Sequence, residues 1–238
     1  MCERIAPLLL LFGLTLCMAG RAALAAEPPE DAAPSPVEFA RVATQSLFDI
    51  LRDPDLQGDI NAEARYQAVR KDSDKNFDWT EMARRSLARH WNRRSTQERE
   101  EFTRLFSHLI ANTYLTTIER NLDAEIRYEQ EDVKERSATV RTLAVTRDRT
   151  EVPIVYWLRS ADVPRDPPET GTRPSWLVYD VQIEGVSMVS NYRSQFNNII
   201  VGSSYERLLE RLKERVAEAD RKRAELVAAA RKAQEEAQ

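Results

Sequence analysis

Asp180 sits inside a run that is otherwise largely apolar, Trp176-Leu-Val-Tyr-Asp-Val-Gln-Ile-Glu184. A carboxylate desolvated there would have a raised pKa and could serve as a general base. The same group can instead accept nearby backbone N–H groups or pair with an arginine such as Arg193, fixing a corner where a strand gives way to a helix. Little else in the chain could join it in catalysis. The histidines are His90 and His108, on separate helical segments, with His108 flanked by Leu105 and Leu109. Metal sites need clustered ligands at defined spacing, so no metal is expected. Past the first residues the glycines are Gly58, Gly171, Gly185 and Gly202; they form no phosphate-cradling loop, and there is no Gly-x-Ser-x-Gly elbow. Nucleotide binding and serine-hydrolase chemistry lose support, and no cofactor is expected.

The N-terminus supplies a compartment. Arg4 precedes an apolar run from Ile5 to Met18, and Ala23-Leu24-Ala25 offers small residues for cleavage before Ala26. The run is about 14 residues, short of the ~20 that a spanning helix needs. Residues 1–25 are therefore expected to be a signal peptide and the product periplasmic and soluble. Leu14-Thr15-Leu16-Cys17 is a poor lipobox, because Leu16 stands where a small residue is wanted. Cys2 and Cys17 both lie in the leader, so a cleaved chain has no thiol. Removing Glu3, Arg4 and Arg21 takes the formal charge from −4 to about −5. Such a chain should not adhere generally to nucleic acid or anionic lipid, although a local basic patch could still dock on a membrane partner.

The elements that would position Asp180 follow from patterning. Residues 26–34 resemble a flexible leader. Ser35-Pro36-Val37-Glu38 reads as a capped helix start, with Val42, Leu47, Ile50 and Leu51 as its buried stripe. A second helix is expected from Asn61 to about Lys71, and a third from Asp78 to Arg89 that buries Met82 and Leu87. Ser95-Thr-Gln-Glu98 opens the clearest helix, where Phe102, Leu105, Phe106, Leu109, Ile110, Tyr114 and Ile118 recur at helical steps.

From Glu125 the period becomes two. The expected strands are Glu125 to Gln130, Ala138 to Thr146, Val152 to Arg159 and Trp176 to Glu184, separated by polar turns at Asp132 to Arg136 and Arg147 to Thr150. In the third, Val152, Ile154, Tyr156 and Leu158 oppose Pro153, Val155 and Trp157. In the fourth, Leu177, Tyr179, Val181 and Ile183 oppose Trp176 and Val178. An antiparallel sheet usually shows water one face, so two apolar faces imply that both are covered, by helices or by a lipid. Asp162 to Pro174 is a Pro-rich insertion, a solvated loop or a lip beside a cavity. Gly185 permits a bend, Asn191 to Val201 forms a short helix, and a last helix buries Tyr205, Leu208, Leu209, Leu212 and Val216. Residues 220–238 read as a charged, solvated helical tail that the fold can lose.

The residues Trp176, Tyr179-Asp180, Glu184-Gly185-Val186-Ser187, Asn191-Tyr192-Arg193 and Gln195-Phe196 resemble the signature of the MlaC family, the toluene-tolerance auxiliary proteins. A weaker resemblance covers Phe77-Asp78, Met82-Ala83, Trp91, Thr113-Tyr114 and the Leu-rich helix from Tyr205. The resemblance implies an α+β domain over residues 35–219, with a curved antiparallel sheet of about four strands flanked by helices, NTF2-like in architecture. It implies a periplasmic phospholipid carrier, not an enzyme, that serves outer-membrane asymmetry. Its partners would be an outer-membrane lipoprotein–porin complex and an inner-membrane ABC transporter with an MCE-domain protein.

On that reading the acyl chains lie between the sheet and the helices. Their contacts would be Phe106, Leu109, Ile110 and Tyr114 of the long helix and Val140, Tyr156, Leu158, Tyr179 and Val181 of the strands. Met188, Tyr192 and Phe196 would complete the set, while Asp180, Gly185 and Arg193 shape the corner. Two alternatives stay open: a small-molecule isomerase or dehydratase on the same fold using Asp180 and a tyrosine, and a periplasmic adaptor or chaperone whose charged last helix makes the contacts.

Overall fold

A computed structural model describes residues 34–161 and 176–237. The expected signal peptide, nearly all of the expected leader and the Asp162 to Pro174 insertion lie outside the described residues. Helix α1 (Pro36–Arg52) starts as its sequence dictates: the Ser35 hydroxyl accepts from the Glu38 N–H, and Pro36 occupies the first turn. Its buried side is Phe39, Ala40 and Leu51, whereas Val42 is exposed. Helix α2 (Ala62–Asn76) runs on past Lys71 to Asn76. Helix α3 (Trp79–Leu87) is capped by Asp78 and does bury Met82 and Leu87. It stops before Arg89 because Ala88 adopts a positive φ of 48° and opens a 3-10 segment, Ala88–Arg93. Helix α4 (Thr96–Glu119) begins with a full capping box between Ser95 and Glu98.

The sheet is antiparallel, curved and unclosed, with five strands in sequence order. These are β1 (Glu125–Lys134), β2 (Ser137–Val145), β3 (Glu151–Ser160), β4 (Trp176–Ile183) and β5 (Val186–Ser187). The fifth, two residues long, is too short to leave a periodic signal. The β4–β5 turn puts Glu184 at φ 49° and Gly185 at φ 83°, a conformation that glycine adopts without penalty. Helix α5 (Met188–Gly202) starts three residues earlier than Asn191, capped by the Ser187 hydroxyl. Helix α6 (Tyr205–Glu236) then runs unbroken through the stretch read as a tail.

Two register shifts decide which side chains share a face. In β1 the shift falls between Tyr128 and Gln130, and in β4 it falls at Tyr179. The inner face consists of cross-strand rows: Ala138–Leu158–Val178, Val140–Tyr156–Val181 and Thr142–Ile154–Ile183. The apolar members of these rows join one core with Met82, Leu87, Phe102, Phe106, Leu109, Tyr192, Phe196, Leu208 and Leu212. Aromatic edges knit its helical half, Phe102 and Phe106 each meeting Phe196 at close to a right angle. Asp78, 1% exposed, ion-pairs with Arg159 of β3 while its other oxygen caps α3. Phe77 bridges to Val178, so the end of α2 lies along β4.

The expectation that both faces of β3 are covered needs correction. Pro153 is exposed, Trp157 is 37% exposed and Val155 between them is half-buried, so among the described residues that outer face is only partly covered. In β4 the expectation holds locally, where Leu177 and Val178 are both buried. The tail also departs from full solvation. Arg223 is docked on Tyr66 of α2, with its guanidinium carbon 3.6 Å from the ring centroid, and it bonds Asn112 of α4.

Candidate functional site

The corner that carries Asp180 is built from short-range hydrogen bonds. One carboxylate oxygen accepts from the Val189 N–H at 3.1 Å and the other from the Ser187 hydroxyl at 2.5 Å. Ser187 in turn caps α5 through the Ser190 N–H at 3.0 Å. Arg193 does not pair with Asp180: its guanidinium donates to the Ser190 hydroxyl at 2.8 Å. A carboxylate that lowers the free energy of two donors at a strand-to-helix junction is occupied structurally. The arrangement presents no base in a cleft, and among the described residues no group of acids, His or Cys is disposed to hold a metal.

The apolar candidates divide by exposure. Phe106, Val140 and Leu158 are fully enclosed by protein, and Leu109, Ile110, Val181, Met188, Tyr192 and Phe196 are also buried. Tyr114 and Tyr156 are half-buried and pack against that core. Tyr179 is set apart, because the register shift in β4 removes it from the row of Val181 and leaves its ring under the Arg85 guanidinium, 4.2 Å away.

Tyr128, Ile154, Tyr156 and Ile183 of the inner face are half-accessible, as is Tyr114 of α4. They include two positions that a search for strongly buried residues passes over, Ile154 and Ile183, paired directly across β3 and β4. Tyr128 of β1 joins their row opposite Thr142. It lies beneath α1, with the Arg41 guanidinium 4.5 Å from its ring and its hydroxyl 3.5 Å from the Ala40 carbonyl. The alternation of Ile126, Tyr128, Ile154 and Ile183 was the available signal.

Burial disfavours ionisation of the phenols. Burial pushes the Tyr156 hydroxyl up to about 12, with Thr44 of α1 opposing the shift through a hydrogen bond. Burial likewise raises Tyr114, whose neighbour is the Tyr192 ring, and Tyr128. A strip of aliphatic and uncharged phenolic side chains, flanked by closed core, can hold hydrocarbon and donate a few hydrogen bonds. Placing a charge there would be costly.

Comparison with known proteins agrees with this geometry. No curated protein sequence matches the chain. Among solved structures, it is similar to the phospholipid-binding protein from Ralstonia solanacearum, determined in complex with a phospholipid at 1.53 Å resolution. The TM-score is 0.65 and the identity 20%, over 76% of this chain and 97% of that one, a likeness of fold. The model of the MlaC protein family matches residues 41–214, from within α1 into the first turns of α6, and the chain therefore belongs to the MlaC family.

Proposed function

We propose that this chain is a periplasmic phospholipid carrier. It takes acyl chains against the half-accessible strip of Tyr114, Tyr128, Ile154, Tyr156 and Ile183, and moves lipid between the outer and inner membranes to sustain outer-membrane asymmetry. The observation that carries the reading is the family match over residues 41–214. The solved neighbour that holds a phospholipid supports it. So do the half-accessible apolar side chains on the inner face of the sheet, beside buried core.

The physical task is desolvation. Each methylene exposed to water costs about 0.8 kcal/mol, so a two-chain lipid with roughly 30 methylenes meets a barrier above ~20 kcal/mol on leaving a bilayer. An apolar seam on a protein removes most of it. The enclosed positions of Val140 and Leu158 mean that acyl chains reach them only if the helices part from the sheet. The outer-membrane lipoprotein–porin complex and the MCE-bearing ABC transporter are the partners in this proposal. Among the described residues no helix is long and apolar enough to cross a membrane.

Mass spectrometry of organic extracts tests the carrier directly. Protein purified from the periplasm should bring phospholipid with it in stoichiometric amount. Ile154→Trp and Ile183→Trp, which fill the seam from its accessible side, should lose that lipid while still melting cooperatively. A wild-type protein free of lipid, or both variants retaining a full complement, overturns the assignment.

A further inference from the structure

A second feature lies away from the strip. Between the 3-10 segment after α3 and the corner joining α5 to α6 is a surface pocket of about 410 Å³. One wall carries Arg89, His90, Arg93 and Arg94, and the other Ile200, Val201, Tyr205 and Glu206. The sequence explains its charge, for residues 84–99 contain six arginines against the single acid Glu98, in a chain of net charge −4.

Most of those arginines are already engaged. Arg84 and Arg85 share Glu81. Arg94 reaches Glu98 at 3.2 Å and lies over the Tyr205 ring. Arg99 lies over Trp91 and donates to its carbonyl. The two exposed arginines of the pocket are different. Arg89 donates to the neutral amide oxygen of Asn197 at 2.9 Å, an oxygen that also faces His90. Arg93 has no hydrogen bond or ion pair among the described residues. Glu206 is the carboxylate of the opposite wall, so three guanidinium groups face one acid across the pocket.

Beside these cations Val201 is 65% exposed, and Ile200 is half-buried. Planar guanidinium forks fit phosphate oxygens, and exposed aliphatic carbon fits the glycerol and upper acyl region beneath them. An anionic bilayer presents both together; a free anion offers only the first. A concavity of this size also suits a single headgroup better than a length of acidic peptide.

We propose that this pocket receives the phosphodiester headgroup of an anionic phospholipid still seated in a bilayer, making the α5–α6 corner a membrane-contact site separate from the cargo strip. A net negative carrier is repelled by such a surface as a whole, and one basic concavity then sets which side approaches it.

The test uses protein purified after expression of the whole chain, sedimented with phosphatidylcholine vesicles that either contain or lack phosphatidylglycerol. Binding should require phosphatidylglycerol and weaken with salt. The double substitution Arg89→Ala with Arg93→Ala should lower affinity about tenfold or more. Arg147→Ala with Arg149→Ala, removing equal charge from the exposed β2–β3 turn, should leave it intact. Val201→Asp, at a side chain too exposed to disturb packing, supplies a second variant that should also weaken binding. Equal binding to both vesicle types, equal loss in the two double variants, or binding of polyglutamate in place of vesicles overturns the proposal. Inorganic phosphate displacing the protein from vesicles at matched phosphate concentration would mark a free-anion site and overturn it too. Co-purified lipid is measured on the same samples, so an empty protein that still docks on vesicles refutes the carrier reading and leaves this one standing.

Discussion

Replacing Arg223 with alanine should cost this protein about 3 kcal/mol of stability, although the residue lies in a helical stretch that reads as solvent-facing. Its side chain is 11% exposed and makes four contacts. The guanidinium covers the Tyr66 ring, which is itself 1% exposed. A desolvated cation–π contact contributes about 1–2 kcal/mol. Nη1 donates to the Asn112 side-chain oxygen at 2.9 Å, and a charge-assisted bond of this kind contributes about 1.5 kcal/mol. The ion pairs with Glu63 and Asp220 involve carboxylates that are half exposed, so solvent screening holds them to about 0–1 kcal/mol together. For a domain of this size each kcal/mol moves Tm by about 2–4 °C, giving a fall of roughly 6–12 °C. Thermal melts followed by circular dichroism would compare wild type, Arg223→Ala and Arg223→Lys. The lysine keeps charge but not the planar fork, and should recover less than half of the loss. If Arg223→Ala melts within about 1 °C of wild type, the helix merely runs beside α2 and α4 and the additive reasoning fails. The expected result also means that truncation after residue 219 destabilises the fold, whereas truncation after 228 spares this clamp.

Three further outcomes follow from the structure. Burial, and then the Arg70 cation, hold the His108 imidazole below its ordinary 6.5, and its Nδ1 lies 2.9 Å from the Tyr66 hydroxyl. The unfolded chain therefore binds the proton more readily, so this contribution is whole above about pH 6.5 and is lost as pH falls below it; urea melts at a series of pH values should show that slope flattened in His108→Gln. Asp180→Asn should lower stability by about 1–2 kcal/mol by weakening the α5 corner while leaving co-purified phospholipid unchanged, and full loss of lipid with an unchanged melt would give Asp180 a direct role. Gly185→Ala should cost about 1 kcal/mol, a purely conformational penalty because φ is 83° and no atom lies within 4 Å of the added carbon, and an unchanged melting temperature would contradict it.

The periodic elements were legible because burial imposes the period. The capping box at Ser95 and the alternation from Glu125 placed α4 and the sheet to within a few residues. What escaped has physical causes. A register shift at Tyr179 leaves no mark in composition, yet it takes Tyr179 out of the row that Val181 and Ile183 keep. Strand β5 and the Phe77 bridge are too brief for any period. Helix α2 buries Tyr66, Arg70 and Asp72, and these polar residues conceal its inward face. Arg223 looks like each neighbouring arginine, and only the presence of a flat ring opposite it distinguishes it. At the candidate site, the fully apolar core was easier to name than the half-accessible rim, because hydrophobic runs report enclosure and say little about which enclosed positions border an opening.

The two rims of the unclosed sheet bear on how such a protein survives at high concentration. An unpaired strand is a template for a neighbouring molecule, and a chain that displays hydrocarbon-binding surface would be doubly prone to stick. Here one rim is β1, whose exposed run Glu129-Gln-Glu-Asp132 is crowded with like charge and interrupted by the register shift after Tyr128. At the other rim β5 pairs only the end of β4 before α5 begins, and the Phe77 bridge to Val178 interrupts what is left of the β4 edge. Neither border gives an approaching strand a long, straight ladder to zip onto. The lipid and membrane contacts proposed above would then be made by side-chain surfaces, which can let go again, and not by backbone hydrogen bonding, where release is slow.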